Sequence, residues 1–307
     1  MFCLYSPSAR SPFSLFHIPR TDKRLRLIFF AARQVGCEDA VFLLFSPYMC
    51  YNTDYIEIKG VEGLKRNHWY VIITYIVMQL SAFVGVPLLR ALGVGQGTES
   101  RLEAAKLASG YWAVISFLLA FVVILWLLRG DRNERMMRRL PLASSWMWAV
   151  LGVFLALAAQ SIAANIEWRL LGIKPGSENT RQIIDIIRLT PLLVVVTSVI
   201  GPILEELIFR KIIFGSLYEK YNFWLAALVS SLLFAIVHME PEHLLLYTSM
   251  GMVFAFLYAK TGRIFVPIFA HVAMNTFVVV MQTLLADEIE KMMRQSELPL
   301  AVWRVWL

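Results

Sequence analysis

Seven apolar stretches separated by short charged loops make up most of the chain from residue 69 onward. Most of them approach the length of about 20 residues with which an α-helix crosses the hydrocarbon core of a bilayer. The stretches are residues 69–89, 111–128, 145–164, 189–217, 223–237, 244–258 and 264–285, the last of which Pro267 is expected to interrupt. Because a backbone in lipid must satisfy its own hydrogen bonds, the pattern predicts an all-α polytopic membrane protein with about seven transmembrane helices.

The same pattern divides the chain into four parts. Residues 1–63 are rich in Pro and Ser and then in basic residues, which predicts a poorly structured extension. An alternative is a natural start near Leu64, because a basic segment directly before an apolar stretch is typical of a cytoplasmic N terminus. Residues 64–188 are predicted to form the N-terminal transmembrane helices, with a short interfacial helix at 183–187. Residues 189–285 form a core that carries the polar motifs, and 286–307 form an amphipathic tail.

Composition agrees with a membrane protein. Hydrophobic residues make up 58% of the chain, against about 45–50% in soluble domains. The net charge is +7, and the basic residues lie mainly in loops, where they set orientation. Five arginines fall within residues 129–139, which predicts that this loop and the N terminus lie in the cytoplasm. The membrane is expected to be the plasma membrane.

Two other classes of site are not expected. No stripe of Lys and Arg interleaved with aromatic residues is present, so nucleic acid is not a predicted partner. The three cysteines, Cys3, Cys37 and Cys50, lie outside the apolar stretches and form no CxxC pair. They indicate neither a disulfide framework nor a thiolate metal site.

Polar side chains inside the last four stretches carry the candidate chemistry. The fourth stretch contains Glu205, Glu206 and Arg210, each of which costs about 2.5–3.5 kcal/mol at the centre of a membrane helix. His238 ends the fifth stretch, and His271 and Asn275 share one face of the seventh. Glu205 lies about 16 residues before the turn at residues 221–222 and His238 about 16 after it, so an antiparallel hairpin brings them level.

These residue types suit hydrolysis. A carboxylate in a dry environment is able to act as a general base, and Glu206 is placed to pair with Arg210 at i,i+4. A histidine opposite Glu205 would orient the water, and His271 with Asn275 would hold a developing oxyanion. An alternative is a zinc site with Glu205, His238 and His271 as ligands.

Three other interpretations of the same residues remain. Glu205, Glu206 and Arg210 could be a buried ion cluster that fixes helix packing. The pocket could move protons or a small cation across the membrane. The protein could also bind a peptide without cutting it, as an immunity or scaffold protein does.

Glu205-Glu206-x-x-x-Arg210, Phe234-x-x-x-His238 and His271-x-x-x-Asn275 resemble, in order and spacing, the three-motif signature of the CPBP family. This family comprises CAAX prenyl endopeptidases and bacteriocin-processing enzymes, also called Abi proteins. The resemblance covers roughly residues 189–285. It implies an intramembrane endopeptidase that acts on a peptide or protein substrate in the lipid bilayer. It also implies a general base and its helper at Glu205 and His238, an oxyanion site at His271 and Asn275, and support from Glu206 and Arg210. Members are often labelled metalloproteases, so zinc remains open.

The remaining polar residues are given less direct roles. Glu240, Glu242 and His243 are predicted to lie solvated in a turn. Tyr247 is expected to pack or to sit at the membrane interface rather than to bind substrate. His68 is assigned no role.

Overall fold

The structure is a computed structural model, and it describes residues 65–131, 139–173 and 177–284. Within these ranges the chain is helical with no strand, so the predicted all-α fold is confirmed. The extension at 1–63 and the tail at 286–307 lie outside the described residues. Nine helices, numbered α1 to α9 in chain order, account for the fold of the described part.

The first predicted span is two helices. Helix α1 (Arg66–Leu80) and helix α2 (Ala82–Ala91) meet at an angle of 42°. At the bend the Ser81 hydroxyl donates to the Met78 carbonyl at 2.6 Å and accepts from the Trp112 indole at 3.0 Å. Pro87 inside α2 removes a backbone hydrogen bond. Regular backbone bonds from the Ser81 amide to Val77 and from the Gly85 amide to Ser81 continue on both sides of the bend. The bend therefore involves the Ser81 side chain and its partners rather than a loss of helical bonding at Ser81.

Two long helices follow. Helix α3 (Arg101–Leu128) begins at Arg101, well before residue 111, where the predicted span starts. Its first turn is polar, and the Ser100 hydroxyl caps it by accepting from the Glu103 amide at 3.0 Å. Helix α4 (Leu142–Leu171) ends at Gly172, whose φ of +70° is the left-handed conformation that terminates many helices.

Helix α5 (Glu178–Leu189) contains the predicted interfacial segment and extends it in both directions. Helix α6 runs over residues 193–218 and alternates between α-helical and π-helical turns. Its π-helical parts are Val196–Ile200 and Glu206–Phe214. Helical segments with i→i+5 bonding occur frequently at functional sites, and the second of these begins at the glutamate pair.

The last three helices form antiparallel neighbours. They are α7 (Phe223–Ile236), α8 (Leu244–Thr261), which follows a short 3₁₀ turn at Pro241–His243, and α9 (Phe265–Leu284). Pro267 does not interrupt α9, because it is the third residue of the helix and its missing amide lies in the first turn. Helix α8 approaches α7 closely, since a Cβ on Gly251 would lie 2.7 Å from the Ser231 Cβ.

Among the residues that the structure describes, four helical segments are long and apolar enough to cross a membrane: α3, α4, Pro241–Thr261 and Phe265–Thr283. The bent pair α1 and α2 would make a fifth. Helix α7 has 14 residues and is therefore about 21 Å long, shorter than the hydrocarbon core. The predicted number of seven spans is thus not confirmed, although the described part remains that of a multi-pass membrane protein.

Candidate active site

Glu206 and Arg210 form an ion pair in the interior of α6. Arg210 Nε lies 3.3 Å from Glu206 Oε2, and both side chains are fully buried. The contact is not a hydrogen bond, because none of the three guanidinium nitrogens has a hydrogen-bond partner within the described residues. The pairing expected at i,i+4 is therefore present as a charge contact.

Three phenylalanine rings surround the Arg210 guanidinium. Its carbon atom lies 4.6 Å from the Phe234 ring centroid, 5.5 Å from that of Phe254 and 6.0 Å from that of Phe209. Cations over aromatic faces gain about 2 kcal/mol when both are desolvated. The rings thus supply part of the solvation that the buried cation lacks.

His271 on α9 lies between the two glutamates. Its Nδ1 is 2.9 Å from Glu206 Oε1, and its Nε2 is 3.7 Å from Glu205 Oε2. The imidazole also stacks on Phe254, with ring centroids 4.5 Å apart and planes at 21°. The contact of His271 with Glu206 was not predicted from the sequence, which placed His271 with Asn275 at the oxyanion or, in the zinc alternative, with Glu205 and His238.

The two glutamates differ in access. The side chain of Glu205 is 17% exposed, whereas that of Glu206 is completely buried. Glu206 is engaged on one oxygen by His271 and on the other by Arg210. Only Glu205 therefore has a surface that a water molecule or a substrate is able to reach.

His238 lies just beyond the end of α7. Its Nδ1 is 2.7 Å from the Phe234 carbonyl oxygen, which makes Nδ1 the donor and leaves Nε2 for other partners. Phe234 connects the two histidines, since its ring centroid is 4.6 Å from that of His238 and 5.8 Å from that of His271. The ring of Phe209 contacts that of Phe234 at 5.4 Å. Phe209 lies four residues after Glu205, and Phe234 lies four residues before His238. Their contact is therefore the one expected from the predicted antiparallel hairpin.

Asn275 follows His271 by one turn of α9. Its side-chain amide donates to the Thr197 carbonyl at 3.3 Å, on the part of α6 that precedes Glu205. One amide hydrogen is used in this bond and the second is available. The structure thus joins Glu205, Glu206, Arg210 and His271 by direct contact, His238 through Phe234, and Asn275 through its helix.

Comparison with known proteins identifies the family. Residues 187–277, which contain all six candidate residues, match the model of type II CAAX prenyl endopeptidases, Rce1-like. The chain is 51% identical over 223 residues to the Bacillus subtilis (strain 168) protein YdiL, whose name proposes a membrane peptidase; the match covers 71% of this chain and 90% of YdiL. It is 31% identical over 237 residues to the membrane-embedded CAAX protease MroQ of Staphylococcus aureus (strain USA300), covering 74% of this chain and 95% of MroQ.

The chain belongs to the Rce1-like CAAX prenyl endopeptidase family. A shorter match, 35% identical over 83 residues, joins it to the UPF0177 protein YxdF of Lactococcus lactis (strain IL1403), over 27% of this chain and 45% of that protein. No solved structure is significantly similar to it. The membership places it among membrane peptidases and confirms the resemblance that the three motifs indicated.

The sequence interpretation of Glu240 as a solvated residue is wrong for this member of the Rce1-like family. Its carboxylate accepts from the Asn179 backbone amide at 2.7 Å, from the Tyr247 hydroxyl at 2.7 Å, and from the Ser177 hydroxyl at 2.8 and 2.9 Å. Burial alone would raise the pKa of Glu240, but these donors outweigh burial and hold the pKa below its ordinary value of 4.5. The local sequence of the turn does not reveal the donors Ser177 and Asn179, which lie 63 and 61 residues earlier in the chain.

His243 is also not solvated. Its Nδ1 lies 2.8 Å from Glu167 Oε2, and the Leu246 amide donates to Glu167 Oε1 at 2.9 Å. Glu167 is buried near the end of α4. This carboxylate therefore fixes the 3₁₀ turn and the first turn of α8 to α4.

A third polar cluster involves Lys211, which directly follows Arg210 on α6. Asp131 lies 3.2 Å from His68 Nε2, 3.1 Å from Lys211 Nζ and 3.4 Å from Lys65 Nζ. Burial raises the pKa of Asp131, but the bonds and charges of Lys211 and His68 outweigh it and leave the pKa below its ordinary value of 3.8. His68 and Asp131 thus join α1, the end of α3 and the motif helix α6.

The candidate metal ligands are Glu205, His238 and His271. Within the described ranges, no three His, Cys, Asp or Glu side chains are grouped so that they could hold one ion. His238 and His271 each direct Nδ1 to an oxygen and keep Nε2 open, as histidines that bind a metal do. Glu205, His238 and His271 nevertheless are not grouped within the described residues as the three ligands of a catalytic zinc site.

Proposed function

We propose that this chain is an intramembrane endopeptidase in which Glu205 deprotonates the water that attacks a peptide carbonyl. The observation that carries the proposal is the position of His271 between an accessible Glu205 and a buried Glu206. The family and the peptidase relatives support the reaction class. The access of Glu205 supports its assignment as the base.

The geometry suggests how the water is held. With the Nδ1 proton donated to Glu206, neutral His271 presents Nε2 as an acceptor toward Glu205. Two acceptors 3.7 Å apart do not bond to each other, but both are able to accept from one water molecule. Such a water would give one hydrogen to each acceptor and turn its lone pair toward the substrate.

The other residues would act on the peptide. The free amide hydrogen of Asn275 would donate to the oxyanion that forms on the carbonyl oxygen. His238, whose Nε2 is not used by its own helix, would assist Glu205 in orienting the water. Arg210 lies against one oxygen of Glu206, and Glu206 in turn orients His271 with the other. No step of this scheme requires a metal.

For the substrate, we propose a peptide or protein that reaches the site within or beside the lipid bilayer. The family description and MroQ point to a C-terminal CAAX sequence with a prenylated cysteine. We also propose that the protein lies in the plasma membrane with the loop at residues 129–139 in the cytoplasm, as its five arginines indicate.

The test is cleavage by the purified full-length chain in detergent. A peptide library that includes farnesylated CAAX-ended peptides and their unprenylated counterparts would be read by mass spectrometry. Glu205→Gln should abolish cleavage while the protein still folds. Glu219→Gln, a change at an exposed glutamate near the end of α6, is the matched control and should retain it.

Two results would contradict the proposal. Cleavage by Glu205→Gln at the wild-type rate would remove Glu205 as the base. Loss of wild-type cleavage on adding a chelator, with recovery on adding zinc, would make Glu205, His238 and His271 candidate ligands instead.

A further inference from the structure

His238 is held by aromatic rings on two sides. Its imidazole stacks on the ring of Tyr247 on α8, with centroids 4.0 Å apart and planes at 26°. The edge of the Phe234 ring faces the imidazole, with ring centroids 4.6 Å apart and planes at 62°. Together with the bond from Nδ1 to the Phe234 carbonyl, these contacts fix the ring's plane as well as its position.

Tyr247 is itself anchored away from the reaction centre. Its hydroxyl donates to Glu240 Oε2 at 2.7 Å, and the Glu240 carboxylate accepts from Ser177 and from the Asn179 amide. Ser177 is the N-cap of α5 and accepts from the Thr180 amide at 2.9 Å. The carboxylate therefore sits at the amino end of a 12-residue helix, where backbone amides favour a negative charge.

The backbone between His238 and Glu240 is strained. Met239 has a φ of +57° and is the single non-glycine residue of the described chain with a positive φ. Its side chain is 83% exposed, so no packing of that side chain explains the conformation. Such outliers persist where the surrounding structure fixes them. Here the fixed residues are the neighbours on each side, His238 against Tyr247 and Glu240 against α5.

We propose that Tyr247 is a positioning residue for His238, and that Glu240 bound to the amino end of α5 holds Tyr247 in place. The ring of Tyr247 sets the plane in which His238 presents Nε2, and the hydroxyl sets the position of that ring. The effect on catalysis rests on the proposed function, whereas the effect on the His238 ring does not.

The substitution Tyr247→Leu removes the stacking ring, and Tyr247→Phe keeps it and removes only the hydroxyl. On a peptide that the wild type cleaves, Tyr247→Leu should lower kcat by about 100-fold with KM unchanged, because a small displacement of a catalytic group costs that much. Tyr247→Phe should restore most of kcat. Ser177→Ala, which removes one donor to Glu240 far from the site, should lower kcat no more than Tyr247→Phe does.

The matched control is Tyr258→Leu. Tyr258 is a buried tyrosine of the same helix, and it packs against Phe214 in a separate cluster. This change should lower stability but leave the kcat of the folded protein at the wild-type value. A merely structural role for Tyr247 predicts that both leucine variants behave alike.

A second measurement does not require cleavage. In protein carrying isotope-labelled histidine, the His238 ring signal is identified by its loss in His238→Gln. Tyr247→Leu should shift this signal, because the ring current of Tyr247 is removed and the imidazole turns. Tyr247→Phe should keep it near the wild-type position.

The two measurements separate the two proposals. If the wild type cleaves no peptide of the library, the proposed function fails on that probe, and the His238 signal still decides the positioning role. A folded Tyr247→Leu protein with wild-type kcat would overturn the role of Tyr247. An unshifted His238 signal in that variant, or in Tyr247→Met should Tyr247→Leu not fold, would overturn it as well.

Discussion

Replacing Arg210 by methionine is expected to lower the free energy of unfolding by about 3–5 kcal/mol, because it leaves the Glu206 carboxylate buried without its counter-charge. Both side chains are fully buried, and Nε lies 3.3 Å from Glu206 Oε2. One hydrogen bond remains to Glu206, from His271 at 2.9 Å. The surviving bond places the expected loss toward the lower end of the range, at about 3 kcal/mol.

The double variant Glu206→Gln with Arg210→Met separates the charge from the packing. It removes both buried charges of the pair, and the glutamine carbonyl is still able to accept from His271. We expect it to be more stable than Arg210→Met alone, with a coupling free energy of about 2–3 kcal/mol between the two positions. Replacement of a whole buried pair by neutral groups is often harmless even where removal of one member is not.

The assay is reversible unfolding of the purified protein in mixed micelles, followed by circular dichroism. Arg188→Met, at an exposed arginine of α5, is the matched control and should change the free energy by less than about 0.5 kcal/mol. The reasoning is refuted if Arg210→Met unfolds at the wild-type free energy. It is equally refuted if the free energy of unfolding of the double variant falls by the sum of the decreases in the two single variants.

Two further predictions concern the ends of the site. Met239→Gly should not lower the free energy of unfolding, because relief of the left-handed strain, about 1–2 kcal/mol, offsets the extra entropy of glycine in the unfolded chain. Met239→Val should lower the free energy of unfolding by about 1 kcal/mol or more. A valine variant as stable as the wild type would contradict this prediction. Because the pKa of Asp131 is depressed in the folded protein, its stabilising effect is present above its ordinary value of 3.8 and is lost as the pH falls below it. Unfolding curves of wild type and Asp131→Asn should therefore converge in acid, and parallel curves would exclude this contribution.

The residues that the sequence could predict are those whose position follows from helical geometry. Glu206 and Arg210 are one helical turn apart, and they pair in the structure. Counting residues from the turn at 221–222 placed Glu205 opposite His238, and the contact between Phe209 and Phe234 shows that register. Helix type, hairpin register and spacing along a helix are local properties of the chain.

The residues that the sequence did not identify obtain their roles from partners far away in the chain. Glu240 meets Ser177 and Asn179 at separations of 63 and 61 residues, and His243 meets Glu167 at a separation of 76. Nothing in the local sequence marks a turn glutamate as a helix-capping carboxylate. The bend at Ser81 was hidden for a similar reason, because it depends on Trp112 from the next span.

These distant bonds also bear on how the motif-bearing helices work. The hydrogen bonds of Glu240 cross from residues 177–179 into the segment that carries His238, and Glu167 on α4 holds the start of α8. Helix α4 further packs on α8 and α9, where a Cβ on Gly152 would lie 2.5 Å from the Leu257 side chain and 3.2 Å from that of Ala270. A fragment that begins at residue 189 would expose this apolar surface and leave Glu240 without two of its three donor groups. The helices before α6 therefore take part in orienting His238, although no candidate catalytic residue lies on them.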